Sequence, residues 1–320
     1  MVLTTPLLAY LAAQGSTDVV CAPAAAALLA NNPSVRDVIR YDKRGTDRGI
    51  AGFRKLASTL KARGYDSAYM AQGSARSGAL ALAAGISDRV GFATSAGKLF
   101  YTTKIPLVEN THHAARLLSL GTRDAAADVP RERLRPHLYP GPAEREAVDR
   151  LLGTNSAGEQ IVALAPGSVW ATKRWPYYRE LAYELREIAR IVIVGGEADR
   201  ELALDIVAST KGQAIDTTGQ LSLLASAELI GRSAVLVTND SAPMHLASAM
   251  DTPTVAVFGP TVPEFGFGPL ASVSEIVGQT GLSCRPCDKH GQQKCTLGHW
   301  RCMREITPER VASLVRSLTA

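Results

Sequence analysis

The chain has 320 residues, enough for two domains of roughly 150 residues each, and its 46% apolar and 20% charged residues exclude disorder and collagen-like repeats. A net charge of +5 and a pI near 9.0 suit an acidic partner such as a phosphate, a sugar acid or a membrane surface, but no Lys/Arg run or recognition-helix motif indicates nucleic acid. No apolar run is long enough to span a membrane and the start lacks a signal-peptide pattern, so we expect a cytoplasmic protein.

The first 120 residues alternate short β-rich runs with helical segments, the pattern of a parallel sheet covered by helices. The predicted strands are 18–20, 35–42, 66–70 and 89–92, and the predicted helices are 2–13, 23–30, 50–63, 74–85 and 110–120. No strand precedes the first helix, although the first strand of a doubly wound sheet commonly lies centrally. We therefore expect either a sheet without that strand or a natural start upstream of Met1.

Residues 121–158 are rich in Arg, Pro, Asp and Gly and hold no sustained apolar run. This composition indicates the connection between two domains, with room for one short helix. The domains are then residues 1–150, which contain most of that connection, and residues 159–320.

The second half shows the same alternation with more continuous Val, Ile and Ala strands. The predicted strands are 160–166, 189–196, 214–216, 234–240 and 252–260, and the predicted helices are 176–188, 198–209, 221–231, 241–250 and 307–319. Such strands are buried on both faces of a parallel sheet. The fold class is therefore α/β, with two Rossmann-like, doubly wound domains whose strands end at a cleft.

Four loops follow the carboxyl ends of second-half strands, where open α/β sheets bind ligands. The first, 165–176, carries Ser168 and Lys173, which suit a diphosphate but equally fit a solvated basic turn. The second, 195–200, carries Glu197, which suits ribose hydroxyls or a helix first turn. The chain has no GxGxxG, so no nicotinamide fingerprint is present and we expect no cofactor.

The third loop carries Asp240, Ser241 and His245 at the start of a predicted helix. These side chains suit sugar hydroxyls or phosphate, while a helix N-cap and a buried histidine are the structural alternatives. Thr261 lies in the fourth loop, a Pro- and Gly-rich strand exit that also fits a plain turn. The convergence of all four loops on one sheet edge favours a ligand site there.

Four of the five cysteines lie within residues 284–302, which is not the distribution of an extracellular disulfide framework. The candidate metal ligands are Cys284, Cys287, Cys295, Cys302 and His299. Their number and spacing suffice for tetrahedral zinc, which the spacing leaves open. We prefer a reduced structural cluster that shapes the local loop, with no metal in the site.

Four motifs stand in order in the second half: APGSVWATKRWP, VIVGGEADREL, LVTNDSAPMHLASAM and VAVFGPTVP. They resemble the bacterial ADP-heptose–lipopolysaccharide heptosyltransferases of glycosyltransferase family 9, and RVGF, the 98–101 neighbourhood and the stretch from His112 to Arg116 also fit. The Cys-rich stretch is similar to the heptosyltransferase II branch. The resemblance covers nearly the whole chain and implies the GT-B fold and inverting transfer of heptose.

The resemblance also implies site roles and partners. Ser168 and Lys173 would meet the diphosphate of ADP-heptose, Glu197 the ribose, Asp240, Ser241, Ala242 and His245 the heptose and its phosphates, and Thr261 would add a further contact. The first domain would bind the acceptor, the lipopolysaccharide inner core on lipid A. Contact with the inner face of the cytoplasmic membrane would be peripheral.

One departure concerns catalysis. In the family a Gly-Asp pair precedes the V-L-x-T-x-P stretch, and that Asp is the expected general base. Here Val2-Leu3-Thr4-Thr5-Pro6 is present, but the Asp would fall one place before Met1, so no catalytic residue is assigned. We expect the natural start upstream. The alternatives are heptosyltransferase I or III, another donor or acceptor, a non-catalytic nucleotide-sugar-binding protein, and a zinc-dependent interaction module.

Overall fold

The computed structural model describes residues 1–125, 129–153 and 159–319. By internal contacts the chain divides into two compact units, Leu3–Leu134 and Arg135–Ala320. None of the helices among the described residues has the length and apolar composition of a membrane span.

The first unit contains five short strands and six helices among its described residues. The strands are β1 (Asp18–Cys21), β2 (Asp37–Arg40), β3 (Ser67–Tyr69), β4 (Asp88–Phe92) and β5 (Thr103–Ile105), and the helices are α1 (Thr5–Ala12), α2 (Pro23–Ala26), α3 (Gly49–Arg63), α4 (Ala75–Ala83), α5 (His113–Thr122) and α6 (Arg131–Leu134). Every predicted helix and strand of this half has a counterpart, although the segment predicted as helix 23–30 becomes α2 followed by a 3-10 turn.

The strands of the first unit form two separate parallel sheets, β1-β2 and β3-β4-β5. Among residues 1–125 no strand pairs with the remaining edges of β1 and β3. All residues of these two strands are half-buried or exposed, in contrast to the fully buried central strands of the second unit. Strands β3 and β4 run parallel, so the loops that follow them lie at one edge of their sheet.

The second unit contains six strands and seven helices among its described residues. The strands are β6 (Ile161–Ala165), β7 (Arg190–Ile193), β8 (Ile215–Asp216), β9 (Val235–Asn239), β10 (Thr254–Phe258) and β11 (Ser274–Gly278), and the helices are α7 (Pro142–Leu152), α8 (Tyr178–Leu185), α9 (Arg200–Ser209), α10 (Leu223–Gly231), α11 (Ala242–Met250), α12 (Arg301–Arg304) and α13 (Pro308–Thr319).

All six strands are parallel in the order β11-β10-β9-β6-β7-β8. This is the doubly wound order, in which the first strand, β6, lies centrally and the direction of winding reverses between β6 and β9. Every residue of β6, β9 and β10 is buried because helices cover both faces. The reversal leaves a crevice at the carboxyl ends of β6 and β9, where such sheets bind ligands.

The boundary between the two compact units lies between Leu134 and Arg135, inside the connection predicted for residues 121–158. Helix α7 packs against α10, and Asp149 of α7 forms an ion pair of 2.5 Å with Arg232. Residues 142–152 therefore belong to the second unit. Residues 126–128 and 154–158 of the predicted connection lie outside the described residues.

Strands β5 and β11 are not among the strands predicted from the sequence. Both are edge strands, and β11 mixes Ser, Glu and Gly with exposed Ile276, so it lacks a strand-like apolar pattern. Its pairing with β10 decides its conformation.

Candidate functional site

The centre of the candidate site is an ion pair at the crevice of the second unit. Lys173 lies on the loop after β6 and Asp240 directly follows β9. The Lys173 Nζ donates to Asp240 Oδ2 at 2.6 Å, and the two side chains are only 10% and 11% exposed. Both predicted residues therefore meet at the switch point of the sheet, although 67 positions separate them in the chain.

Thr261 extends this pair from a third loop. Its hydroxyl, buried after β10, donates to the same Asp240 Oδ2 at 2.7 Å. The carboxylate thus accepts from an ammonium and a hydroxyl, which orients it. An ammonium has three N–H donors and Asp240 takes one, so Lys173 retains donors for an anion.

Asn239 holds the loop of Lys173 in place. This last residue of β9 is fully buried, its Oδ1 accepts from Trp175 N at 3.1 Å, and its Nδ2 donates to Pro166 O at 2.9 Å. A buried amide that satisfies one donor and one acceptor ties the loop after β6 to the end of β9. The sequence places Asn239 within the third motif but gives no sign of this role.

Ser168 lies near the start of the same loop, where hydrogen bonds hold the backbone in place. The Ser168 hydroxyl accepts from Trp170 N at 3.3 Å, and Arg174 Nε donates to the Ser168 carbonyl at 2.9 Å. Arg174 therefore shapes the loop that holds Lys173. A Cβ at Gly167 would lie 2.2 Å from Asp199 Oδ1, so any larger residue there would require the Asp199 carboxylate to move. We did not single out Asp199 from the sequence.

Glu197 lies on the loop after β7, on the far side of β6 from Asp240. Its side chain is 73% exposed, and it forms a loose ion pair of 3.7 Å with Arg200. It stands in the first turn before α9, as both the ribose hypothesis and the helix-dipole alternative require. Its role stays a prediction.

Ser241, Ala242 and His245 lie at the start of α11, next to Asp240. Ser241 occupies the N-cap position, but its hydroxyl contacts the Asn239 carbonyl at 3.4 Å and does not cap the helix. Ala242 is exposed, and His245 is half-buried with its ring tilted against Phe267, 6.5 Å between centroids. The structural alternatives, a capping serine and a fully buried histidine, are therefore not what the structure has.

The cysteine-rich segment, residues 284–302, lies against the same loops. Burial is the largest cause that raises the pKa of Cys302 to about 11, and the neighbouring thiols of Cys287, Cys295 and Cys284 contribute to the same rise. Burial also raises the pKa of Cys295, but backbone N–H groups of residues 297–300 outweigh it and the net pKa is lowered. Among the residues that the structure describes, no three His, Cys, Asp or Glu side chains are grouped to hold a metal ion.

Comparison with known proteins identifies the scaffold. Residues 53–300 match the model of glycosyltransferase family 9 (heptosyltransferase). Lipopolysaccharide heptosyltransferase 2 of Salmonella typhimurium is 27% identical over 307 residues, covering 91% of this chain and 86% of that protein. Lipopolysaccharide heptosyltransferase 1 of Pseudomonas aeruginosa is 27% identical over 290 residues, covering 83% and 77%.

A solved structure agrees with these relatives. E. coli ADP-heptose lipopolysaccharide heptosyltransferase II superposes with a TM-score of 0.82 at 26% identity, over 100% of this chain and 95% of that one. The predicted α/β fold class of the GT-B type is thereby confirmed. The match covers well over half of the chain, and the chain belongs to glycosyltransferase family 9, the heptosyltransferase family, and is a glycosyltransferase.

Proposed function

We propose that this glycosyltransferase moves L-glycero-D-manno-heptose from ADP-heptose to the lipopolysaccharide inner core, as a heptosyltransferase of type II. The observation that carries the donor assignment is the Lys173–Asp240–Thr261 cluster at the switch point of the second unit. A cationic group in a crevice with exposed loop backbone suits the diphosphate of a nucleotide sugar. The cysteine-rich segment and the similarity to heptosyltransferase II favour type II over types I and III.

In this proposal the second unit binds the donor and the first unit the acceptor. Lys173 and the N-terminus of α11 meet the charge that develops on ADP as it leaves. Ser168 assists at the diphosphate, Glu197 receives the ribose, and Asp240, Ser241, Ala242 and His245 surround the sugar and its phosphates. The acceptor hydroxyl attacks the anomeric carbon from the opposite face, so the configuration inverts. We assign no general base among the described residues.

The acceptor side of the proposal rests on charge. Residues 1–134 hold 17 Lys and Arg against 10 Asp and Glu, a net charge of +7, so the remaining 186 residues carry −2. A positive first unit suits the anionic inner core on lipid A and the anionic surface of a membrane. We propose that the protein works in the cytoplasm, in peripheral contact with the inner face of the inner membrane.

Transfer assays with ADP-heptose and acceptors that carry no, one or two inner-core heptoses test this proposal. We expect wild type to bind ADP in calorimetry and to extend one of these acceptors, and Lys173→Met to lose both properties. Extension of the acceptor that carries one heptose supports the type II assignment, and preference for another acceptor contradicts it. ADP binding without any transfer favours the alternative of a nucleotide-sugar-binding protein.

A further inference from the structure

Arg285, in the cysteine-rich segment, donates hydrogen bonds to four backbone carbonyls and to no carboxylate of the described residues. Its guanidinium donates to the carbonyls of Gly259 at 2.7 Å, Gln279 at 2.8 Å, and Phe258 and Thr261 at 3.1 Å each. These carbonyls belong to the ends of the paired strands β10 and β11 and to the loop that carries Thr261. A half-buried guanidinium whose bonds all go to backbone fixes the path of that loop.

The neighbouring backbone completes the contact. Cys287 N donates to the Pro260 carbonyl at 2.9 Å, so residues 285 and 287 bind the carbonyls of Gly259, Pro260 and Thr261 in succession. Gly278 makes room for this arrangement, because a Cβ there would lie 2.8 Å from Arg285 Nη2. The loop after β10 is therefore held along its whole turn.

The same segment holds the loop of Lys173. Thr172 donates to the Gln292 carbonyl from its backbone N at 3.0 Å and from its hydroxyl at 2.7 Å, and that hydroxyl accepts from Gln292 N at 2.8 Å. Gln293 adds bonds to Ala171 N at 3.3 Å and to the Val169 carbonyl at 2.9 Å. One stretch, residues 285–293, thus fastens both loops that deliver donors to Asp240.

We propose that Arg285 is a positioning residue for the nucleotide-sugar site: by holding the loop after β10 it places the Thr261 hydroxyl on Asp240, and with it the Lys173–Asp240 pair. Arg285 acts through the loop, because its hydrogen bonds to described residues go to backbone carbonyls. The role assigned to the site rests on the proposed function, while the placement of the loop does not. The test therefore uses two measurements, one without ligand and one with ADP.

The first readout is amide hydrogen exchange of the whole chain without ligand. Arg285→Met should speed exchange about tenfold or more in peptides that cover 258–262 and 286–288, since local opening sets the exchange rate, while β6 and β7 stay protected. Arg285→Lys, which keeps the charge but has fewer donors, should give an intermediate increase. Unchanged exchange in both variants overturns the placement of the loop.

The second readout is ADP binding by calorimetry, with Arg232→Met as the matched control. Arg232 lies in the same unit and is also partly buried. It precedes β9, at the end of the sheet opposite the crevice, and it hydrogen-bonds to Glu228, Asp149 and the Arg145 carbonyl. We expect Arg285→Met to raise the ADP dissociation constant about tenfold and Arg285→Lys to raise it by less. Arg232→Met should lower thermal stability and leave the ADP dissociation constant unchanged.

The outcomes separate the two proposals. Equal ADP affinity in wild type and Arg285→Met overturns the positioning role even if the variant is less stable. If Arg285→Met does not fold, the Arg285→Lys comparison decides. If wild type does not bind ADP, the proposed donor site fails, whereas the exchange data still decide whether Arg285 places the loop.

Discussion

At the scale of single residues, Lys173 and Asp240 form a nearly buried ion pair. Removing two charges from water costs several kcal/mol per ion, which their attraction and extra hydrogen bonds must offset. The Thr261 hydroxyl supplies one such extra bond to Asp240. A pair of this kind is weak evidence for stability by itself, and its position at the crevice fits the proposed recognition of a diphosphate.

Breaking the pair from one side should be costly. Asp240→Asn leaves the ammonium buried without its counter-charge, so we expect a loss of about 3 kcal/mol in the free energy of unfolding of the second unit. Lys173→Met should cost less, because Thr261 still satisfies Asp240. Urea unfolding followed by tryptophan fluorescence measures this, since Trp170, Trp175 and Trp300 all lie in the second unit.

The double variant Lys173→Met/Asp240→Asn is the control for this measurement. Because it removes both charges, it should be more stable than the sum of the single losses predicts. Additive losses would show that the two side chains do not interact in solution.

At the scale of elements, the ends of β6 and β9 are joined by Asn239. Without its side chain, Trp175 N–H and the Pro166 carbonyl stay buried and unsatisfied, at about 1–3 kcal/mol each. The loop after β6 would then lose its fixed path, although the strands themselves pair through their backbones.

Asn239→Ala should therefore destabilise the second unit by about 3 kcal/mol and weaken ADP binding, measured by urea unfolding and calorimetry. Ser222→Ala is the matched control: its hydroxyl caps α10 by accepting from Ala225 N at 3.1 Å, and losing a cap costs about 1 kcal/mol. The control should leave ADP affinity unchanged. An Asn239→Ala protein with wild-type ADP affinity would contradict the role of Asn239 in the site.

At the scale of the whole molecule, the first unit combines positive charge with exposed apolar side chains. Ile50 is 72% and Leu99 84% exposed. Both flank the start of α4, because Arg76 donates to the Gly49 carbonyl at 2.9 Å and Gly97 N donates to Gly73. Exposed Lys43, Arg44 and Arg48 lie just before the helix α3 that carries Ile50, and exposed Lys98 is next to Leu99. Apolar tips among cations suit an anionic lipid surface.

We expect the protein to sediment with phosphatidylglycerol vesicles and not with phosphatidylcholine vesicles, and the bound fraction to fall as salt rises. Ile50→Ser/Leu99→Ser should reduce binding several-fold. The matched control, Leu204→Ser/Leu297→Ser, changes two comparably exposed leucines of the second unit and should have no effect. Equal losses in both double variants would contradict a lipid-facing surface on the first unit.

The amino-acid sequence alone was sufficient to predict the alternation of strands and helices and the loops that carry Lys173, Asp240 and Thr261. Apolar periodicity and the Gly, Pro and hydroxyl residues at strand exits are local signals, so they can be read without the fold. The same local signals failed for β11, whose partner strand decides its conformation, and they gave no sign that α7 packs against α10.

Contacts between distant residues needed the tertiary structure. The strand order places β6 beside β9, and only this neighbourhood brings Lys173 to Asp240 across 67 positions. Arg285 gave no signal because its partners are backbone carbonyls, which every residue carries and which no side-chain pattern marks. Such bonds arise from the path of the chain in space, and that path is set by the packing of the whole unit.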